Sequence, residues 1–215
     1  MKQFLVSILT LSLLGSSVSS FAQDAKATAI LEKVSKNFKA MKSLKANFSL
    51  TANDAQGKPK DTRSGTFLMK GNKYKVKMAA QEIICDAKNV WTYLPANKEV
   101  QISSYNPEEQ TISPEKLFAG TYTKEYKSRY IGERSVKGKK VDVIELVPNS
   151  GAKGVGKVQL FVDKSANMVT GGNLFERNGS SYTYTISGIN NSQLSDAEFT
   201  FDAAKHPGVE VIDLR

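Results

Sequence analysis

The chain has 215 residues and a formal net charge of +9 at pH 7, from 30 basic and 21 acidic residues. That length corresponds to one large domain or two small ones, and the single cysteine, Cys85, excludes an internal disulfide. The basic residues are spread out, without an arginine-rich helix or a nucleic-acid motif, so we expect no nucleic-acid partner. Two interpretations of the charge stay open: attraction to an anionic membrane surface or an acidic partner, and a solvated basic surface.

The first 22 residues have the composition of an export signal. Lys2 supplies the positive start, and residues 4–14 are apolar but too short to span a bilayer. Ser20 and Ala22 are small residues that precede a cleavage site at Gln23. We predict a signal peptide over residues 1–22, one mature domain over residues 23–215, and localisation in the periplasm. An uncleaved membrane anchor is the alternative.

Residues 24–42 are predicted to form one amphipathic helix, because apolar residues recur there at helical spacing. From residue 44 onward the period changes to two, which is typical of half-buried strands. Lys73, Lys75 and Lys77 alternate with apolar residues and are expected to point to solvent. The large residues expected on the opposite, cavity-lining face of these strands are Phe48, Leu50, Phe67, Met69, Tyr74, Val76, Met78, Trp91 and Tyr93.

Residues 113–120 interrupt the alternation. A hydroxyl residue, a proline and an acid at residues 113–115 are typical of a helix start, and Leu117 and Phe118 follow them. We predict a short helical insert that acts as a lid. Further strands are predicted after it, the last two over residues 198–201 and 209–212. The pattern predicts about eleven strands in one antiparallel, strongly curved sheet or barrel, covered by the long N-terminal helix and the short insert.

Few residues could support catalysis or bind a metal. His206 is the only histidine and Cys85 the only cysteine, so neither a zinc or transition-metal site nor a cofactor is expected. The nucleophile-elbow, phosphate-loop and dinucleotide-binding motifs are missing from the sequence. A hydrolase with two catalytic carboxylates stays open as an alternative, although nothing singles out a pair. The aromatic and methionine residues favour an apolar cavity, which suits lipid tails.

Three blocks of sequence resemble the LolA family of outer-membrane lipoprotein carriers. Residues 64–70, Ser-Gly-Thr-Phe-x-x-Lys, resemble the early strands of that family. Residues 86–95 are similar to its Asp-Gly-x-x-x-Trp-x-Tyr-x-Pro segment, with Ala87 in place of glycine. Residues 199–213 resemble its C-terminal signature, Phe-x-Phe followed by Gly-Val-x-Val-Ile-Asp. The blocks follow the family's order and extend over nearly the whole predicted mature chain.

The resemblance implies an unclosed β-barrel with a helical lid and a binding function instead of catalysis. The implied partners are acylated lipoproteins, an inner-membrane ABC transporter that releases them, and an outer-membrane receptor or membrane surface that accepts them. We expect a monomer. Relatives have Lys-Arg-Pro after the second strand, where the arginine is thought to latch the lid. This chain has Lys70-Gly71-Asn72, so the latch is either absent or supplied by other residues.

The residues expected to bind acyl chains come from the cavity wall, the first helix and the insert. A lipid-binding sensor module of the periplasm, built on the same half-barrel, is the nearest alternative to a carrier. The full expected set is Ile30, Val34, Phe38, Phe48, Leu50, Phe67, Met69, Tyr74, Val76, Met78, Trp91, Tyr93, Leu117 and Phe118.

Overall fold

A computed structural model describes residues 24–106, 126–149 and 154–215 of the chain. The described residues form one α-helix and twelve strands, so the fold is mainly β, as predicted. The helix is α1 (Ala25–Ala40), and the strands are β1 (Leu44–Asn53), β2 (Pro59–Lys70), β3 (Lys73–Met78), β4 (Glu82–Cys85), β5 (Asn89–Leu94), β6 (Glu99–Ser104), β7 (Tyr126–Val136), β8 (Lys139–Pro148), β9 (Val155–Asp163), β10 (Met168–Glu176), β11 (Ser181–Asn190) and β12 (Glu210–Asp213).

All twelve described strands belong to one unclosed sheet, in the order β12-β6-β5-β4-β3-β2-β1-β11-β10-β9-β8-β7. Most neighbours in the sheet are also neighbours in sequence, because short turns join antiparallel strands. The pairing of β1 with β11 joins the first half of the sheet to the second half. Strand β12 is the exception in direction, since it pairs in parallel with β6. The sheet therefore has the architecture of a half-barrel.

Helix α1 is capped at its start and is held against the sheet by its apolar side. The Asp24 carboxylate accepts hydrogen bonds from the backbone N–H of Lys26 and Ala27, as a helix N-cap does. Its second oxygen accepts the backbone N–H of Tyr130 on β7 at 3.0 Å, and that bond is the largest cause of the lowered pKa of Asp24. The helix buries Ala27, Leu31, Val34 and Phe38. The helix lies within the predicted range of residues 24–42 and ends two residues earlier than expected.

The face of the sheet on which α1 packs is called the inner face here, and the opposite face is the outer face. The main hydrophobic core joins α1 to the inner-face residues of β1–β4 and β8–β11. A smaller apolar cluster, Val141, Val143 and Phe161, lies on the outer face of β8 and β9. None of the helices in the described ranges is long and apolar enough to cross a membrane.

The segment after β11 lies against the outer face of the first strands. Lys70 donates to the backbone oxygen of Leu194 at 3.0 Å, and both Lys70 and Lys73 pair with Asp196, at 2.9 and 3.3 Å. Phe199 follows and is fully buried. The predicted strand over residues 198–201 is wrong: a 3₁₀ helix spans Asp196–Phe199 instead. Phe199 and Phe201 alternate in this segment because their side chains pack against the outer face of the sheet. The backbone of the segment does not join the sheet's hydrogen-bond ladder.

Candidate functional site

Strand pairing places a continuous set of apolar side chains on the inner face. Phe67 of β2 lies between Ala46 of β1 and Val76 of β3. Met69 lies likewise between Leu44 and Tyr74. Side chains paired across neighbouring strands share one face, and nearly all of these belong to the main core. The placement expected for Phe67, Met69, Tyr74 and Val76 agrees with the structure.

A second row of inner-face residues is less covered. Phe48 pairs with Gly65, which in turn pairs with Met78. A Cβ on Gly65 would lie 2.1 Å from the backbone oxygen of Lys77 and 2.9 Å from the Phe48 ring, so glycine is required for space. Leu50, one pair further along β1, lies between Tyr184 and Arg63 and remains 38% exposed. These residues lie on the expected face but form its open part.

Trp91 and Tyr93 do not lie on the inner face, which corrects the sequence prediction. Trp91 pairs with Ile84, and Tyr93 pairs with Glu82, so both share the face of Lys75 and Lys77. The physical reason is the turn before β5, which pairs Cys85 with Val90 and turns every second residue of β5 outward.

Tyr93 instead contacts the C-terminal segment. Its ring centroid lies 5.2 Å from that of Phe201 and 4.5 Å from that of His206. The Phe201 and His206 rings stack at 4.7 Å with an angle of 12° between their planes. Two of the three sequence blocks that resemble a family therefore meet in space on the outer face.

The lysines of β3 are on the outer face, as expected, but two of them do not point freely into solvent. Lys75 pairs with Glu82 of β4 at 2.8 Å, and its side chain is mostly covered. Lys73 pairs with Asp196 of the C-terminal segment. The sequence pattern gave their face correctly and could not give these partners, because both acids come from other strands or segments.

The helix contributes to the same core. Val34 and Phe38 are buried in it, and Ile30 is half-buried against it. Leu117 and Phe118 lie outside the described residues, as does the rest of the predicted insert. The inner-face residues that sequence reasoning missed, although their alternation could have indicated them, are Ile83, Val90, Tyr182, Tyr184 and Ile186.

The inner face offers little polar chemistry. Asp142 is the buried acid on this face within the described ranges, and it accepts the Tyr130 hydroxyl at 3.0 Å. Glu145 lies on the outer face, where hydrogen bonds from Arg129 and Lys157 outweigh burial and lower its pKa. No group of three or more His, Cys, Asp or Glu residues able to hold a metal ion occurs among the described residues. Burial of apolar chains is what this arrangement can do best.

A shallow cleft of about 400 Å³ lies at one end of the sheet, beside the β9–β10 turn. Lys139, Lys140, Asp163, Lys164 and Ser165 line it. Its charges are largely paired, since Lys139 contacts Asp163 at 3.3 Å and Lys164 pairs with Glu133. The cleft is polar and belongs to the rim, whereas the inner face is apolar.

One solved structure of low sequence identity shares the fold, and others are similar to a lesser degree. An uncharacterised conserved protein from Thermus thermophilus has 13% identity and a TM-score of 0.60, covering 87% of this chain and 99% of that chain. A LolA superfamily protein from Nitrosomonas europaea has 17% identity and a TM-score of 0.45, with coverages of 81% and 97%. The MucA/MucB complex structure from Pseudomonas aeruginosa matches at 12% identity and a TM-score of 0.44, covering 83% of this chain and 62% of that chain.

No curated protein sequence matches the chain. The sequence profile described as "Outer membrane lipoprotein carrier protein LolA" matches residues 39–202. This range contains β1–β11 as well as two of the three blocks that resemble the family. Because the match covers most of the sequence, the chain belongs to the LolA family.

Proposed function

We propose that this chain binds the acyl chains of lipoproteins on its inner face and carries them through the periplasm from the inner to the outer membrane. Membership of the LolA family supports a carrier. The observation that carries the proposal is the open apolar row: Phe48 and Met78 are only half-buried, and Leu50 is exposed, directly beside the buried core. Apolar surface that continues from a core without cover marks a binding site.

The energy of acyl burial gives the reason for a carrier. Each buried CH₂ group contributes about 0.8 kcal/mol, so a chain of roughly 16 carbons prefers an apolar site to water by on the order of 10 kcal/mol. A lipoprotein therefore needs such a site to cross an aqueous compartment. In this proposal, residues 1–22 direct export, an ABC transporter releases the cargo from the inner membrane, and a receptor or the membrane surface accepts it.

Replacing an exposed leucine of the inner face tests the binding step. Leu50→Asp should lower the affinity for a fluorescent fatty acid at least tenfold, because a carboxylate beside the chain must be desolvated. Stability should change by less than about 1 kcal/mol, since Leu50 is exposed. Leu214→Asp is the matched control, because Leu214 is 61% exposed and lies beyond the last strand. Equal affinities of the two variants would contradict the proposed site.

A transfer assay separates a carrier from a sensor module. Donor vesicles contain a triacylated lipopeptide, and acceptor vesicles contain none. The wild-type protein should accelerate transfer in proportion to its concentration, and Leu50→Asp should not. Saturable binding of the lipopeptide without accelerated transfer would refute the carrier function and favour the sensor.

A further inference from the structure

Tyr184 places a buried hydroxyl without a partner on the inner face. The residue is 9% exposed, and its hydroxyl oxygen has no hydrogen-bond partner within the described structure. Burial raises the pKa of this phenol, so the group stays neutral and keeps its proton to donate. Buried polar groups in proteins nearly always have partners, and each exception calls for an explanation.

The neighbours of Tyr184 define where the hydroxyl lies. On β11 it is paired with Leu50 on one side and with Gly172 of β10 on the other. A Cβ on Gly172 would lie 2.5 Å from the Tyr184 oxygen. The phenol of Tyr184 therefore extends across β10 above Gly172, which has no side chain to block it. Leu160, the next residue of the row, is fully buried. The side chains next to the hydroxyl in this row are thus apolar, and the backbone oxygen of Gln159, which also lies beside Gly172, is not its hydrogen-bond partner.

Packing alone does not explain this hydroxyl. A phenylalanine would fill the same space without burying an unpaired polar group, and a buried donor without an acceptor destabilises the folded protein. Thr183 and Thr185 flank Tyr184 on β11 and lie on the opposite face, where the Thr183 hydroxyl donates to the Asn173 side chain at 3.0 Å. A group that costs stability and has no hydrogen-bond partner among the described residues fits a contact with a ligand.

We infer that the Tyr184 hydroxyl donates a hydrogen bond to the carbonyl oxygen of an ester-linked or amide-linked acyl chain. This inference rests on the proposed function and names the polar contact within it. The carbonyl is the acceptor that an acyl chain carries at its attachment point, and it lacks a donor of its own. A free carboxylate fits less well, because burying its charge is costly and the buried charged residue on this face, Asp142, is acidic. The basic residue near this row, Arg63, is exposed and pairs with Asp61.

Two soluble probes with the same chain length test the inference. Sucrose monolaurate carries its twelve-carbon chain on an ester, and dodecyl maltoside carries a chain of equal length on an ether-type linkage. Both are titrated into the protein calorimetrically below their micelle concentrations. Tyr184→Phe should lower the affinity for sucrose monolaurate about threefold to tenfold, which corresponds to the loss of one neutral hydrogen bond. The affinity for dodecyl maltoside should stay unchanged.

Tyr93→Phe is the matched control, because Tyr93 is half-buried but lies on the outer face, away from the proposed site. It should leave both affinities unchanged. The thermal midpoint of Tyr184→Phe should equal or exceed that of the wild type. Infrared spectra with a ¹³C-labelled ester carbonyl give a second readout: the carbonyl band should shift to lower wavenumber in the wild-type complex and return in the variant.

The possible outcomes separate this inference from the proposed function. If the wild type binds neither probe, the proposed function fails and the inference fails with it. If both probes bind and Tyr184→Phe lowers their affinities equally, or lowers neither affinity, the inference is refuted while the proposed acyl-chain binding stands. An unshifted carbonyl band in the wild-type complex also refutes it, even if the variant does not fold.

Discussion

At the scale of single residues, Asp163 is an acid whose two carboxylate oxygens both accept hydrogen bonds. One of its oxygens accepts the Ser165 hydroxyl at 2.6 Å and the backbone N–H of Ser165 and Ala166. The other accepts from Lys139. The Ser165 bond, the two backbone bonds and the lysine outweigh burial and lower the pKa of Asp163 from 3.8 to about 2. The charged form thus fixes the β9–β10 turn.

This gives a pH-dependent prediction. Since the folded-state pKa is depressed, the stabilisation is complete above the unfolded value of 3.8 and is lost as the pH falls through about 2. A shift of this size corresponds to about 2 kcal/mol. Asp163→Asn should therefore lower the free energy of unfolding by about 2 kcal/mol at pH 7, measured by urea denaturation, and the deficit should shrink between pH 4 and pH 2.

Glu210→Gln, on an exposed carboxylate of β12, is the control and should change stability by less than about 0.5 kcal/mol throughout. A deficit of Asp163→Asn that is the same at pH 7 and pH 2.5 would mean that the charge does not stabilise the turn, and that the substitution acts only through its shape.

At the scale of elements, the strands show what local pattern can and cannot predict. In β3, lysines alternate with apolar residues, so the period of two fixes which side faces the core. In β5, both faces carry large residues, because Val90 points inward and Trp91 and Tyr93 point outward. Periodicity alone therefore could not distinguish the two faces of β5, and the prediction that Trp91 and Tyr93 face inward is wrong because the turn before β5 decided the face.

The outer face of β5 is also covered by chain more than 100 residues away in sequence, through contacts such as that of Tyr93 with Phe201. Such a contact has no local signature. A contact with residues distant in sequence also explains why the phenylalanines near residue 200 alternate, and this alternation made the segment resemble a strand. Family resemblance predicted the half-barrel correctly, yet it could not say that two of its blocks form an outer-face cluster away from the inner face.

A pair of phenylalanine substitutions distinguishes the two faces. Phe199 is fully buried under the outer face, and Phe67 is almost fully buried on the inner face. Either change to alanine should cost roughly 3–5 kcal/mol of stability. At a temperature where both variants are folded, Phe67→Ala should also weaken acyl-chain binding, whereas Phe199→Ala should retain it.

The measurements are chemical denaturation and titration with sucrose monolaurate. Loss of binding in Phe199→Ala, with a circular dichroism spectrum like that of the wild type, would show that the outer-face cluster contributes to the site. Unchanged binding by Phe67→Ala would show that the inner face of β2 does not contribute to the site.

At the scale of the whole molecule, the residues that the structure describes cover the half-barrel unevenly. Helix α1 packs near β7 and β10, and its Asn37 side chain donates to the Ala166 backbone oxygen in the β9–β10 turn at 3.0 Å. Leu31 and Val34 are fully buried, so this part of the cover belongs to the core. Residues 55–64, at the far end of β1 and β2, are all exposed. Stability should therefore be concentrated in β8–β10 and α1.

Hydrogen exchange measured by mass spectrometry tests this division. Without ligand, the slowest amides should lie in β8, β9 and β10, and those near the β1–β2 turn should exchange fastest.

Ligand at about 100 times its Kd raises global stability by about 2.7 kcal/mol, which slows all amides that exchange through complete unfolding. The diagnostic amides are those that exchange through local opening. Saturating sucrose monolaurate should protect them in β1–β3, and Leu50→Asp should abolish that protection. Added local protection in β7 and β8 instead would place the ligand on the wrong half of the sheet for the proposed site.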